Sequence, residues 1–255
     1  MAALKWDHVV HYVNDLDESI RVFTDNGLAA FHGGSHVQWG TYNALSYFGL
    51  TYIEFLGIEN RTLVEQTDST HVVVKDSLSY LPEQEAFSRV ALRTDDIDEL
   101  AVSLRAHGLK LSPIMDSKRV NAKGELIEWR MMTIQGDFHG LPYPFIIQWK
   151  GTDADRLESM TKSGTIQPHP AGETEIQEAV FYVKDAALTA KHWSELFGLN
   201  KVASSEEGEA TLQIGEQSFI FKNNAVVGLK QLVFQTESEQ LTGKTITIGE
   251  GEYRF

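Results

Sequence analysis

Hydrophobic and polar positions along the chain follow one pattern that occurs three times. In the first copy, residues 6–28, apolar and polar side chains alternate with a period of two, which predicts a β-strand with two different faces. Leu16, Ile20 and Phe23 then recur at helical spacing, so a helix follows the strand. The second copy spans residues 87–109 and the third spans residues 176–199.

The boundaries of each predicted helix are marked by the same residue types. An aspartate precedes the helix, where its carboxylate can accept hydrogen bonds from the unpaired first-turn N–H groups. A glycine follows, where a left-handed backbone ends the helix. The aspartates are Asp15, Asp96 and Asp185, with Asp17 as an alternative cap of the first helix, and the glycines are Gly27, Gly108 and Gly198. A repeat of this length indicates a supersecondary unit that is used several times.

Strand-like segments follow each helix and complete the unit. They lie at residues 40–49 and 50–58, at 126–134 and 143–150, and at 209–215 and 217–223. Each unit is therefore predicted to be a strand, a helix and about three further strands. Residues 59–82 predict a helical or irregular connection. The C-terminal stretch after residue 228 has strand patterning but no room for a helix.

The chain is predicted to contain two domains. Residues 1–150 hold two paired units and a ligand cup. Residues 151–171 contain proline and glycine with little periodicity and are predicted to be a linker, with a short helix at residues 156–160. Residues 172–255 form a smaller domain, with a third unit and a fourth that has lost its helix.

Composition narrows the classes of function. The net charge of −14 argues against nucleic acid or an anionic membrane as the main partner, since both require clustered Lys and Arg. The chain has no cysteine, which excludes disulfides, thiolate metal sites and a cysteine nucleophile. There is neither a signal-peptide pattern nor an apolar run long enough to span a bilayer, so we expect a cytoplasmic protein.

The motifs resemble the vicinal-oxygen-chelate superfamily of glyoxalase I, extradiol dioxygenases and fosfomycin-resistance proteins. The carrying motif is D-H-x-x-x-x-V-x-D-L-[DE], which begins at Asp7. Further motifs, HGGSH, WGTYNAL, YIEFLGI, GELIEWRMMTI and PFIIQW, are similar to its glyoxalase-like domain branch. The resemblance implies an α+β fold in which repeated βαβββ units form half-open, mixed-sheet barrels with the ligand in the cup.

The resemblance also implies where a metal would bind. One ligand comes from the first strand and one from the last strand of each unit. In the first unit these positions are His8 and Glu54, which suit a divalent ion. In the second they are Arg89 and Gln148, and an arginine does not bind a metal. No cofactor or tightly bound metal is therefore expected, although a loop histidine (His32, His36 or His139) could complete a metal site with His8 and Glu54.

The candidate catalytic residues are His8, Glu54 and Arg93. His8 shares a strand face with Tyr12, and the resemblance makes this the cup face. Glu54 lies among aromatic residues, where a carboxylate needs a cation partner or acts as a desolvated general base, and both alternatives are open. Arg89 or Arg93 is expected to contact Glu54 or a bound anion. The candidate ligand-binding residues are Tyr12, His36, Thr41, Asn43, Arg89, Trp129 and Gln148.

The implied function is a glyoxalase-like protein that binds a small anionic or oxygen-rich molecule. If it is an enzyme, it is of the lyase or isomerase type, with acid/base chemistry next to a carbonyl. One alternative is a non-catalytic binding or resistance protein, and a weaker one is a metal-dependent lyase or dioxygenase. The expected partner is a small molecule and neither nucleic acid nor a membrane. The chain could also pair with a second copy of itself as a homodimer.

Overall fold

The computed structural model describes residues 4–120, 126–204 and 206–255. The first unit contains β1 (Lys5–Tyr12), α1 (Leu16–Asp25), β2 (Phe31–His36), β3 (Thr41–Phe48) and β4 (Thr51–Ile58). Two short helices follow, α2 (Arg61–Gln66) and α3 (Val72–Tyr80). The second unit contains β5 (Ala86–Arg93), α4 (Ile97–Ala106), β6 (Met115–Val120), β7 (Leu126–Met132), β8 (Asp137–Phe138), β9 (Leu141–Pro142) and β10 (Phe145–Trp149).

The C-terminal part of the chain contains one helix between its first two strands. After α5 (Asp153–Lys162) come β11 (Thr174–Val183), α6 (Ala186–Phe197), β12 (Asn200–Val202), β13 (Glu209–Ile214), β14 (Gln217–Asn223), β15 (Gly228–Thr236), β16 (Thr245–Ile248) and β17 (Gly251–Arg254). Across the described part of the chain no helix is long and apolar enough to cross a membrane.

Two large mixed sheets organise these strands. The first has the order β2-β3-β4-β1-β5-β10-β7-β6, and the second has the order β12-β13-β14-β11-β15-β17-β16. In each, the first strand of a unit pairs in parallel with the last strand of the same unit and antiparallel with the first strand of the next. The α+β class with repeated βαβββ units and curled mixed sheets, predicted from the sequence, is confirmed.

The helix boundaries follow the predicted caps. The Asp15, Asp96 and Asp185 carboxylates accept hydrogen bonds from backbone N–H groups three residues on, at 3.1, 2.9 and 2.9 Å. These bonds satisfy donors that would otherwise have no partner at the helix start. Gly198 ends α6 in the left-handed conformation, at a φ of 64°.

The two sheets share one hydrophobic core. Trp6 of β1 contacts Phe219 of β14 edge-on, with ring centroids 5.3 Å apart. Tyr253 of β17 packs edge-on against Phe23 of α1 at 5.0 Å, and its hydroxyl lies 2.5 Å from Nδ1 of His11. The C-terminal sheet therefore covers part of the outer face of the first sheet and leaves the concave face of that sheet for the cup.

Two segments outside the regular units pack around the cup. The connection predicted at residues 59–82 forms α2 and α3, and the Tyr12 hydroxyl donates to the Val73 carbonyl at 2.5 Å. The helix predicted at residues 156–160 is longer, spanning Asp153–Lys162, because a Thr152–Asp155 capping box starts it earlier.

Candidate active site

The concave side of the first sheet encloses two cavities that meet at Leu45 and Trp149. The inner one, about 60 Å³, is the chamber, and it lies between β1, β3, β4, β7, β10 and the start of α3. Its polar lining comes from His8, His36, Thr41, Asn43, Glu54 and His71. The outer one, about 530 Å³, is the vestibule, and α5 forms one of its walls. The chamber is therefore the smaller, and the vestibule the larger, of two adjoining cavities.

A β-bulge brings Asp7 and His8 together. Trp6 pairs with Leu92 and His8 pairs with Ala91, so Asp7 is an extra residue on β1. A bulge of this kind re-aims side chains that strict alternation would place on opposite faces. The Asp7 Oδ1 atom consequently lies 2.6 Å from Nδ1 of its neighbour His8. Sequence alternation assigns Asp7 to the outer face, and the role of this residue is visible only in the structure.

His8 and Glu54 lie on adjacent strands and face each other in the chamber. The His8 Nε2 atom is 3.6 Å from Oε2 of Glu54. Asn43 donates to the other Glu54 oxygen at 2.6 Å. Tyr52 stacks on the His8 ring with centroids 4.4 Å apart and holds its orientation. Asp7, His8 and Glu54 thus form a row of carboxylate, imidazole and carboxylate, in which Glu54 is 12% exposed.

Asp7 is fully buried, yet its surroundings favour the charged form. Burial alone would raise the pKa of its carboxyl, but the His8 hydrogen bond and the charges of His8, Arg156 and Arg93 together lower that pKa. The Trp149 indole donates to Asp7 Oδ2 at 2.9 Å. Asp7 therefore acts as the acceptor for a proton on Nδ1 of His8, and this hydrogen bond fixes the orientation of the His8 ring.

Two histidines of the chamber come from opposite walls. His36 Nδ1 lies 3.0 Å from the Thr41 hydroxyl. His71, the residue before α3, packs edge-on against Trp39 at 4.3 Å, and neither of its ring nitrogens has a hydrogen-bond partner in the described chain. Burial, with a smaller contribution from the charge of His36, lowers the pKa of His71 to about 4. His71 is therefore neutral at pH 7, and sequence reasoning missed it, although it stands immediately before an apolar VVV run.

The two predicted arginines lie outside the chamber lining. Arg89 pairs with Asp76 of α3 and donates to the Tyr143 carbonyl at 3.0 Å. Arg93 donates to both oxygens of Asp153 at 3.1 Å. Among the described residues neither arginine contacts Glu54, whose partners are Asn43 and His8, and the alternative contact with a bound anion stays a prediction.

Of the remaining predicted residues, one lines the chamber and the others make contacts outside it. Trp129 lines the chamber beside Trp149, at a centroid distance of 5.8 Å. Tyr12 lies under α3, where its hydroxyl is used in fold contacts, and burial raises its pKa well above the ordinary value. His32 pairs with Asp17, and His139 lies next to Phe138, so neither is in the chamber.

The strand register corrects the position assigned to Gln148. Val10 pairs with Glu54 in the first unit, and the matching residue of the second unit, Ala91, pairs with Phe145. The residue equivalent to Glu54 is therefore Phe145. Gln148 lies on the opposite face of β10, where it accepts from the Ile97 N–H at 3.2 Å and donates to the Asp95 carbonyl at 2.7 Å. Side chains along a strand alternate between its two faces. A position misassigned by an odd number of residues is therefore placed on the wrong face.

The same register tests the metal positions. The second unit supplies a guanidinium from Arg89 and a phenyl ring from Phe145, and neither provides a ligand atom. Among the described residues no group of three or more His, Asp and Glu side chains could hold a metal ion. The donor set does not fit the four-position site that the superfamily pattern implies.

The paired βαβββ units and the chamber define a protein of the vicinal-oxygen-chelate superfamily. The chain belongs to the family described as glyoxalase-like domain, which it matches over residues 6–197. A comparison with curated proteins gives no match.

Solved structures share the fold at low sequence identity. A hypothetical protein from Staphylococcus aureus is 22% identical, with a TM-score of 0.85 over 99% of this chain and 98% of that one. The Mn(II)-bound glyoxalase from Novosphingobium aromaticivorans is 13% identical, with a TM-score of 0.53 over 94% of this chain and 68% of that one. A Streptomyces coelicolor methylmalonyl-CoA epimerase in complex with 2-nitronate-propionyl-CoA is 18% identical, with a TM-score of 0.44 over 59% of this chain and 100% of that one.

Proposed function

We propose that this protein binds a small, oxygen-rich molecule in the chamber and removes a proton from the carbon next to its carbonyl group. This is a reaction of the lyase or isomerase type, with Glu54 as the base. The supporting observation is the row of three side chains, in which Glu54 Oε2 lies 3.6 Å from His8 Nε2 while His8 Nδ1 bonds to Asp7 at 2.6 Å.

The row provides a path for the abstracted proton. Because Asp7 accepts at Nδ1, a His8 ring that carries a single proton presents the lone pair of Nε2 to Glu54. Glu54 takes the proton from carbon and can pass it to His8, and the Asp7 carboxylate then stabilises the imidazolium. Arg93 acts on Asp7 rather than on the substrate, since its guanidinium is 3.8 Å from Asp7 Oδ2. We therefore assign Arg93 a positioning role.

The developing oxyanion needs a donor, and His71 is the best candidate. Its ring is buried in the chamber wall without a hydrogen-bond partner in the described chain, and its pKa of about 4 keeps it neutral. A neutral imidazole carries one N–H and can polarise a carbonyl without a formal charge. His36, Thr41 and Asn43 complete the polar wall, and Trp129 provides apolar contact. Tyr12 and Arg89 support α3.

We infer that the reaction needs no resident metal. In the superfamily pattern two ligands come from each unit. Here the second unit has Arg89, which is paired with Asp76 outside the chamber lining, and Phe145, which has no ligand atom. We also propose that the protein acts in the cytoplasm, which is consistent with its acidic, cysteine-free composition.

The test is exchange of substrate hydrogen with deuterated solvent. Chelator-treated protein is incubated in D₂O with a panel of 2-oxo acids and hydroxyketones, and loss of the proton next to the carbonyl is followed by NMR. We expect exchange with at least one compound. The Glu54→Gln variant should lose about two to four orders of magnitude of the rate, as expected for removal of a general base.

The matched control is Glu59→Gln, an exposed glutamate just beyond the end of the same strand, β4. It should exchange at the wild-type rate. Ligand binding without exchange, equal in wild type and Glu54→Gln, would favour the non-catalytic binding protein. Exchange that requires added manganese, zinc or iron would favour the metal-dependent enzyme and overturn the proposal.

A further inference from the structure

One wall of the vestibule comes from a segment outside the βαβββ units. Helix α5 and the residues that follow it face β2, β3 and β7 across a cavity of about 530 Å³. Its apolar wall includes Phe31, Leu45, Tyr47, Ile127 and Met160. A cavity of this size suits a ligand much larger than the few atoms that the chamber of about 60 Å³ can hold.

Arg156 is the nearly buried cation of the vestibule lining. Its guanidinium carbon lies 4.4 Å from the centre of the Trp149 ring, a cation–π contact. The side chain is only 11% exposed, and one buried guanidinium nitrogen, Nη1, has no hydrogen-bond partner in the described chain. Its nearest carboxylate oxygens, on Asp153 and Asp7, are 3.6 and 3.9 Å away.

The other charged residues of the vestibule are already paired. Lys150 Nζ lies 2.6 Å from Glu128 Oε2. Asp155 belongs to the capping box of α5, where the Thr152 hydroxyl donates to it at 2.7 Å. Lys150 is thus a solvent-exposed cation paired with Glu128, whereas Arg156 is a nearly buried cation whose ion-pair contacts are longer.

Arg156 belongs to a cluster of ion pairs that contains more cations than carboxylates. Lys5, Arg93 and Arg156 surround two carboxylates, Asp7 and Asp153, at distances from 2.8 to 3.9 Å. Three cations against two carboxylates leave one positive charge among these five residues, and the Asp155 carboxylate, which also lines the vestibule, lies outside this count. Burial strengthens the interaction of that charge with a ligand, because water screens it less.

We propose that the vestibule binds an amphipathic organic acid, with its acidic group on Arg156 and its apolar body along the wall opposite α5. Leu45 and Trp149 line both cavities, so such a ligand lies at the entrance to the chamber. The proposal rests on the proposed function in one respect, since it names the substrate class of the same site. It also assigns Arg156 as a residue that determines specificity.

The test compares two ten-carbon probes that differ in charge, decanoate and decan-1-ol, by isothermal titration calorimetry. We expect the wild-type protein to bind decanoate about tenfold or more tighter than decan-1-ol, the gain of a charge-assisted hydrogen bond. Arg156→Met keeps the packing of the stem and should abolish the difference while leaving decan-1-ol binding unchanged. Lys150→Met is the matched control in the same cavity, and it should retain the difference in affinity between decanoate and decan-1-ol.

Three results would overturn the assignment: equal affinity for both probes in the wild type, no binding of either, or an unchanged preference in Arg156→Met. If Arg156→Met loses decan-1-ol binding through misfolding, the ¹⁵N signal of the Arg156 side chain in the wild type decides. It should shift when decanoate is added, and an unmoved signal contradicts the proposal.

The two proposals fail in different ways. Glu54→Gln should lose exchange activity but keep the decanoate preference, because Glu54 is not in the vestibule lining. A charge preference that depends on Arg156, without exchange of any compound in the panel, would retain the vestibule site and refute the enzyme. Hydrogen exchange without a preference for decanoate would support the enzyme and refute the vestibule site.

Discussion

Acid should weaken the contact between the two sheets through His11. The ring is fully buried among Phe55, Phe87 and Tyr253, and burial lowers the pKa of His11 from its ordinary 6.5 to about 3. Between these two values the unfolded chain binds a proton that the folded protein cannot accept. The His11 contribution to stability is therefore complete above pH 6.5 and is lost as the pH falls towards 3.

Between the two pKa values, each pH unit below 6.5 costs about 1.4 kcal/mol. At pH 4.5, which lies two units below 6.5, the loss from His11 alone is therefore about 3 kcal/mol. His71 adds a similar loss above its own pKa of about 4. The free energy of unfolding should thus fall steeply between pH 7 and pH 4.5.

The assay is urea unfolding at both pH values. In the double variant His11→Phe/Tyr253→Phe both members of the buried hydrogen bond become apolar, which avoids an unpaired hydroxyl. Its pH-dependent loss should be smaller than that of the wild type by about 3 kcal/mol. His107→Gln, at an exposed site after α4, should behave as the wild type. Wild-type pH dependence in the double variant would refute the reasoning.

Three further substitutions test the local structure, each by chemical denaturation. Gly33→Ala places a methyl group against the Asn43 side chain and should reduce the free energy of unfolding by about 1–3 kcal/mol, with no effect if the two do not touch. Trp149→Phe removes the indole donor of the buried Asp7 carboxylate and should cost about 1–3 kcal/mol, and a neutral result would contradict that hydrogen bond. Asp185→Ala removes the cap of α6 and should cost about 1 kcal/mol, whereas an unchanged midpoint would contradict the cap.

The fold could be predicted from the sequence because the signals that specify it are local. The caps at Asp15, Asp96 and Asp185 and the alternation of the strands depend on neighbours in the chain, and the structure has them as predicted. The presence of His8 and Glu54 in one chamber also followed, since both lie on adjacent strands of one unit.

The rest of the site depends on features that alternation does not encode. The bulge that brings Asp7 beside His8 is a property of the pairing between β1 and β5. His71 and Arg156 lie on segments between units, where no repeat pattern predicts a position. Gln148 was assigned to the wrong face because its place was counted along the strand, whereas the register with β5 fixes Phe145 as the equivalent of Glu54.

The central claim is that Asp7, His8 and Glu54 form one proton-transfer chain, and ¹⁵N NMR of His8 tests it most directly. With Asp7 accepting at 2.6 Å, a His8 ring that carries one proton should carry it on Nδ1 in the wild type and in Glu54→Gln. In Asp7→Asn the amide oxygen keeps the Trp149 hydrogen bond and the amide NH₂ faces Nδ1, so the ring proton should move to Nε2. A wild-type spectrum with the proton on Nε2 and a bare Nδ1 would contradict the account.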